Sequence, residues 1–299
     1  MTRRRKILAA VLAVAAVPVL AGLLFVVNGL LLADGTSPRS GVVTGAVSAP
    51  ARTPGEIRVM GFNVAKCFIY EGGVRFASRK EVAARLDRMC AIIREANPDI
   101  LCLAEVAREG GPCDVDQVRY IAEHTGLANW AFGENFSFGL PFLRVVSGNA
   151  VLSRFPVRPV ANISLAGRKP FYVTKNNRRA LLCRVGADGA ELHVWAIHND
   201  SFNLTNNLAQ VSQELAYEAS ADVVMAGDFN AWPGTAPIKA LRESGRFSGV
   251  FDGPKTFPSD APDRTIDFVL GPAAWRVMNH RVIVDTASDH CAVVTGFGQ

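Results

Sequence analysis

Hydrophobic residues recur along this chain in three rhythms. Residues 7–33 hold no charged side chain over 27 positions, longer than the roughly 20 apolar residues that cross a bilayer as a helix. Further on, short segments alternate with the period of a strand, and others repeat at helical spacing. Residues 57–64 (Ile-Arg-Val-Met-Gly-Phe-Asn-Val) alternate and predict a strand carrying an amide, Asn63, at its end. Ser78 opens a helical pattern with Val82, Leu86, Met89, Cys90 and Ile93 on one face, and Asn97-Pro98 stops it. Residues 99–105 predict a buried strand ending in Glu105, 116–124 a second helix, and 146–152 a strand carrying Gly148-Asn149. Two strands follow at 179–185 and 191–198, joined by the turn Ala187-Asp188-Gly189, then a helix at 206–219. Strands at 223–230, 265–270, 282–284 and 292–296 complete the pattern, with helix and loop mixed over 233–262.

The stretch Val223-Val224-Met225-Ala226-Gly227-Asp228-Phe229-Asn230-Ala231-Trp232 stands out. An apolar strand stops at a glycine and then delivers a carboxylate and a carboxamide two positions apart. Alternation would bring both out on one side and turn Phe229 to the other. An Asp-initiated turn is the competing reading of the same residues. The pattern repeats elsewhere: Asn63, Glu105, His198, Asp267 and Asp289-His290 also stand at the ends of apolar runs. Interleaved strands and helices with tight turns between some neighbouring strands predict an α/β sandwich with mixed sheets.

Charge sharpens the division of the chain. Of the net charge of +5, all resides in residues 1–55, where six basic residues face Asp34 alone; residues 56–299 carry 26 of each sign. The basic pI is therefore a property of the leader, and it weakens a nucleic-acid-coating role for the rest. Arg3-Arg4-Arg5-Lys6 before the apolar run predicts a cytoplasmic N-terminus. Residues 1–33 are then a membrane anchor or an uncleaved signal, with the remainder in the periplasm or outside the cell, or secreted if the leader is cleaved. Residues 34–55, rich in Gly, Ser, Thr, Pro and Ala, have linker composition, and the globular domain is expected over 56–299. Export would expose six cysteines to oxidation; Cys67 and Cys113, in loop-like stretches, are the pair to test for a disulfide. No C-x-x-C pair points to structural zinc.

Gly61-Phe62-Asn63, residues 98–105 (Pro-Asp-Ile-Leu-Cys-Leu-Ala-Glu), residues 148–153 (Gly-Asn-Ala-Val-Leu-Ser), Gly227-Asp228-Phe229-Asn230, Ile266-Asp267-Phe268 and Ser288-Asp289-His290 form an ordered set. In that order they resemble the endonuclease/exonuclease/phosphatase superfamily of metal-dependent phosphoesterases, and the likeness extends over 56–299. It implies a four-layer sandwich of two mixed β-sheets flanked by helices, here preceded by an N-terminal transmembrane helix, with the site where the loops of the sheets meet. Two positions depart from the pattern. Ala104 stands where family members commonly have Gln before the metal-binding Glu, and Ala65 where some place an acid. The second departure implies one tightly held ion.

By resemblance, Asn63, Glu105 and Asp289 are the metal residues, for Mg²⁺ or Mn²⁺, and hard oxygen ligands suit such ions. The resemblance makes His290 the general base, oriented by Asp267. It makes Asp228 the partner of the water, Asn230 a phosphate holder, and His198 a phosphate contact or proton donor. Asn149, Arg178, Arg179 and Trp232 are candidate substrate contacts. The activity implied is phosphodiester or phosphomonoester hydrolysis, endonuclease-like first, with a phospholipid, sphingomyelin or inositol-phosphate phosphoesterase as the alternative and an inactive binding scaffold as a third reading. A nuclease would use the basic, aromatic residues 168–179, whereas a lipid enzyme would expose residues 132–142, with four Phe, as an apolar loop; core packing is the other reading of that segment. The membrane is the one partner expected besides substrate, and no protein partner is indicated.

Overall fold

The computed structural model describes residues 3–33, 35–71, 75–167, 178–187, 189–217 and 223–298. The chain opens with helix α1 (Arg3–Val27), extended by a π-helical turn at Asn28–Leu32, and then enters strand β1 (Arg39–Val42). The next elements are β2 (Ile57–Asn63), β3 (Tyr70–Glu71), β4 (Arg75–Phe76), α2 (Arg79–Ala96), β5 (Ile100–Gly110), α3 (Gln117–Thr125), β6 (Asn129–Leu140), β7 (Leu143–Ser153) and β8 (Val157–Ser164). The second half contains β9 (Arg179–Ala187), β10 (Ala190–His198), α4 (Leu204–Tyr217), β11 (Val223–Asp228), α5 (Ala236–Glu243), β12 (Phe247–Gly249), β13 (Asp267–Pro272), β14 (Arg276–Ile283) and β15 (Ala292–Gly298).

Two mixed sheets result. The first has the order β1-β6-β7-β5-β2-β15-β14 and the second β12-β13-β11-β10-β9-β8. Each contains one parallel pair, β2 with β5 and β10 with β11, among antiparallel neighbours. Three apolar clusters separate four layers. Ile57, Val59, Ile100, Cys102, Leu181, Val194, Val224 and Val293 fill the space between the sheets. Val82, Leu86, Met89 and Ile93 of α2, with Val118 and Ile121 of α3, pack on the outer face of the first sheet. Val211 of α4 and Ile238 and Leu241 of α5 cover the second.

The start of α2 follows directly from its sequence. The Ser78 hydroxyl accepts from the Glu81 backbone N–H while the Glu81 carboxylate accepts from the Ser78 N–H, so two otherwise orphaned donors are satisfied. Loss of such a cap costs about 1 kcal/mol. Asn97 ends the helix in a left-handed conformation just before Pro98.

Three expectations change. Arg39–Val42, inside the stretch with linker composition, is an edge strand paired with β6. Residues 132–142 are no loop: they belong to a long hairpin whose strands β6 and β7 meet at Leu140 and Leu143 around Pro141-Phe142. Gly139 makes its last turn possible, with φ of 112° and a Cβ position that would collide with the Leu143 carbonyl. Cys67 and Cys113 are both free, buried thiols, as are Cys90, Cys102, Cys183 and Cys291. The basic, aromatic stretch 168–177, Asp188 in the expected turn and the end of the helix predicted to 219 lie outside the described residues.

Candidate active site

Strand register assembles the polar residues. In the second sheet, His198 pairs with Asp228 across β10 and β11, and Asp228 pairs with Asp267 across β11 and β13, so three titratable side chains stand in one row. In the first sheet Asn63 pairs with Ala104, which places Glu105 at the next position of β5. His290 precedes β15, whose Val293 lies opposite Gly61 of β2. The row and its counterpart meet because two glycines face each other. A Cβ on Gly61 would sit 3.0 Å from the Gly227 nitrogen, and one on Gly227, at φ of 139°, would collide with the Ile197 carbonyl. This close approach lets the Asn63 amide donate to Asp228 at 3.0 Å across the sandwich.

His290 is held from both sides. Its Nδ1 lies 3.1 and 3.0 Å from the two oxygens of Asp267, and its Nε2 lies 3.4 Å from the Asn63 amide nitrogen and 3.8 Å from Asp228. Phe257 lies against the ring at 4.6 Å between centroids. The Ser288 hydroxyl donates to the Asn63 carbonyl at 2.7 Å, tying the histidine loop to the end of β2. Burial opposes a charge on His290, yet the carboxylates of Asp267, Asp228 and Asp289 and the Asp267 hydrogen bond prevail and push its pKa up to about 10. Burial also raises the Asp228 carboxyl, with Asp267 adding to the shift.

His198 has the opposite character. Burial, together with the charges of Arg178, Lys66 and His290, holds its pKa well below the ordinary histidine value. The neutral ring accepts from the Arg178 guanidinium, whose other terminal nitrogen donates to Ser201 at 2.8 Å. Its Nε2 stands 3.6 Å from both Glu105 and Asp228, so these two carboxylates approach one space from opposite sheets.

Glu105 does not end its strand. It occupies a bulge between Leu103 and Val106 at φ of 54°, and β5 continues to Gly110. The bulge breaks alternation and turns the carboxylate towards the cleft. There it is paired with Lys66, which the sequence reading passed over. Lys66 lies in a run of four non-glycine residues at positive φ, Ala65 to Phe68. Burial and the nearby Arg178 lower its pKa to about 8, against the opposing effect of Asp289. The only sequence signal was its position three residues after Asn63, directly beyond the departure at Ala65.

The remaining candidates divide. Asn230 follows the strand rather than belonging to it: its backbone N–H donates to Asp228 at 2.9 Å, at φ of 50°, and its amide donates to the Asn199 carbonyl. The turn and the site are thus one feature. Asn149 is wholly buried between the sheets, its amide donated to the carbonyls of Arg179 and Ala196. The Arg179 guanidinium is buried and donates to the Asn162 carbonyl. Both side chains thus donate to backbone carbonyls of the second sheet. Trp232 stands exposed in the loop after Asn230. Asp289 is half-buried, next to Ser288.

The carboxylates fit a hard cation. Glu105 already accepts the positive charge of Lys66, and it shares with Asp228 a space lined by oxygen donors. Ligand atoms of Asp228, Asp267 and His290 also lie within 4.8 Å of one another. In that second group Nδ1 of His290 is committed to Asp267, and at the end of β2 the Asn63 side-chain oxygen accepts from the Ala65 backbone N–H at 3.0 Å.

The sequence matches the model of the Endonuclease/Exonuclease/phosphatase family over residues 60–290. Among solved structures it is similar to an endonuclease/exonuclease/phosphatase from Beutenbergia cavernae, at 24% identity and TM-score 0.63, over 81% of this chain and 71% of that one. A mannosyl-6-phosphatase from Bacteroides thetaiotaomicron is similar at 14% identity and TM-score 0.58, over 80% and 98% of the two chains. The human Nocturnin catalytic domain with bound sulfate is similar at 18% identity and TM-score 0.57, over 87% and 96%. At these identities the likeness is one of fold. No curated protein matches the sequence.

Proposed function

The chain belongs to the endonuclease/exonuclease/phosphatase family, and on that footing we propose that it is a phosphodiester hydrolase in which His290 activates the attacking water. The observation that carries this reading is the double contact of Asp267 on His290 Nδ1, which leaves Nε2 facing the cleft beside Asp228. A general base needs a fixed tautomer and a free nitrogen within reach of the reacting proton. Asp228 orients that water, and Asn230 keeps an amide hydrogen for a phosphate oxygen. Arg178 brings its positive charge to the phosphate. His198, neutral and accepting from Arg178 through Nε2, holds that guanidinium towards the phosphate and donates no proton there. Asn63, Glu105 and Asp289 would hold Mg²⁺ or Mn²⁺, which would neutralise phosphate charge, polarise the water and offset the carboxylates that keep His290 protonated.

The basic residues in the first turn of α1 and its exposed apolar surface support an anchored enzyme with its domain outside the cytoplasm. Endonuclease-like cleavage of nucleic acid is the first substrate reading. The second, a phosphoester on a lipid head group, is favoured by the apolar hairpin on the same end of the sandwich as the cleft.

The test is hydrolysis of bis-p-nitrophenyl phosphate by the full chain in detergent micelles. Activity is expected with Mg²⁺, none with EDTA, and none from His290→Ala. Turnover that persists through both EDTA and the substitution overturns the mechanism. Plasmid DNA, single-stranded DNA, RNA, sphingomyelin and inositol phosphates assayed side by side then separate the two substrate readings.

A further inference from the structure

The hairpin of β6 and β7 does more than complete the first sheet. Its tip carries Phe138, Phe142 and Leu143, which are 43%, 76% and 46% exposed. Phe76, 43% exposed, joins them: both it and Leu143 come within 4 Å of the position a Cβ would take on Gly111. A cluster of large exposed apolar side chains on one projection calls for a partner.

The anchor shows where that tip lies. Phe25 of α1 meets Phe138 edge to face at 5.3 Å between centroids, and the Ser137 hydroxyl donates to the buried Asn28 side chain at 3.1 Å. Further along, Asn162 donates to the carbonyls of both Gly35 and Glu134, and Arg39 pairs with Phe132. The leader and β6 therefore run side by side in opposite directions. Every residue from Arg3 to Leu20 is exposed, whereas Ala21, Leu24, Phe25 and Val27 are partly covered and Asn28 and Gly29 buried. Of these, Ala21, Leu24, Phe25 and Asn28 fall on one helical face.

Depth follows from helix geometry. A span beginning at Ile7, after the basic cluster, uses about 20 residues and reaches the outer boundary of the hydrocarbon near Val26. The covered face from Asn28 back to Ala21 is about 10 Å long at a rise of 1.5 Å per residue. Phe138 beside Phe25 is thus at the boundary, and Leu140, Phe142 and Leu143 continue past it towards the bilayer. Amphipathic segments that lie in an interface bury their apolar face by about 5–10 Å, the same range.

We propose that the tip of this hairpin, residues 138–143, is embedded in the outer leaflet beside α1, and that the two together form one membrane-inserted unit. The inference rests on the reading of α1 as a membrane span. It also orients the cleft. β5 passes Glu105 and runs on to Gly110 in the direction of the tip, where Gly110 pairs with Val145. The tip projects past the row of site residues by roughly 20 Å at 3.3 Å per residue. The mouth of the site accordingly faces the lipid surface.

The six native cysteines are all buried, so a single introduced thiol can be labelled selectively. The full chain carrying Phe142→Cys or Leu143→Cys, labelled with an environment-sensitive fluorophore, is reconstituted in phosphatidylcholine–phosphatidylglycerol vesicles. Met278→Cys, 51% exposed on β14 at the opposite end of the sandwich, is the reference. Alkaline carbonate extraction of the same vesicles reports on α1. Expected is a chain that stays in the membrane, with emission at 142 and 143 blue-shifted, severalfold brighter than at 278, and quenched by lipids spin-labelled near the head group. A chain that stays in the membrane but gives the same polar emission at 142, 143 and 278 overturns the hairpin proposal and leaves the span intact. Release by carbonate overturns the span itself, and the hairpin proposal with it.

Discussion

On the second sheet, His198, Asp228 and Asp267 stand in neighbouring positions of a regular ladder, buried and fixed by strand register. On the first sheet, Glu105 and Lys66 depend on backbone that leaves the ladder: a bulge at Glu105 and four consecutive residues at positive φ. The regular half holds His290 through Asp267 and is suited to moving a proton. The irregular half is more open, with the Glu105 side chain 27% exposed, and it already exchanges charge with a cation, Lys66. In the proposed mechanism one sandwich thus divides its work between a regular side that sets geometry and a strained side that manages positive charge. Residues at left-handed φ cost on the order of 1–3 kcal/mol each. Distant donors offset part of that cost: Gln117 donates to the Lys66 carbonyl at 2.8 Å, and Arg85 to those of Cys67 and Phe68 at 3.3 Å.

The sharpest way to break this division is to disable the rigid side. His290→Ala should lower kcat by about 10³-fold, in the range of a lost general base. Asp267→Asn should lower it less and leave KM nearly unchanged, because it disturbs the ring rather than the phosphate. A loss of under tenfold for His290→Ala would show that proton transfer does not run through it. Next in size is the seam between the halves. Gly227→Ala places a Cβ against the Ile197 carbonyl at a φ that L-residues avoid, and it should cost roughly 3 kcal/mol in urea denaturation. An unchanged unfolding midpoint would mean that the sheets do not need this close approach.

The strained side is tested by opposing substitutions. Glu105→Gln should weaken Mg²⁺ binding by about tenfold, whereas Lys66→Met, which frees Glu105, should tighten it; isothermal titration with the metal alone reads both. The same direction of change in the two variants would contradict a cation exchange at Glu105.

The smallest effect belongs to Glu214, which accepts from Asn199 at the edge of the row. Burial raises its pKa from 4.5 to about 8, against a modest opposing effect of that hydrogen bond. The folded chain therefore holds a proton that the unfolded chain releases between those values, and stability falls as pH rises from 4.5 through about 8. Glu214→Gln should leave Tm unchanged near pH 4 and raise it by a few degrees at pH 9. A constant difference across that range would remove Glu214 as the cause.

The two halves also differ in how far their sequence announces them. Alternation exposed the regular half: Asp228 and His198 each close an apolar run, Asp267 opens one, and register did the rest. The outer helices were legible for the same reason, since Val82, Leu86, Met89 and Ile93 repeat at helical spacing and are buried together. Glu105 was found as a residue but not as a bulge, because no glycine or proline marks the place. Lys66 was missed because Ala-Lys-Cys-Phe carries no local signal for left-handed backbone; carbonyl acceptors for α2 and α3 side chains impose it from a distance. The edge strand at Arg39–Val42 was hidden by linker composition for a similar reason, its partner β6 being some ninety residues away.

The pairing of β1 with β6 has a consequence for how the enzyme meets its substrate. A flexible coil of the 22 residues between Ala33 and Glu56 would let a domain wander roughly 25 Å from its anchor point. Here the sheet takes hold of the chain at Arg39, seven residues after Leu32, and Gly35 is already hydrogen-bonded to Asn162. If α1 spans a bilayer as proposed, the domain has little radial freedom and diffuses with the membrane plane. Its encounters then become a search in two dimensions at fixed height, in which capture scales with surface density rather than with bulk concentration.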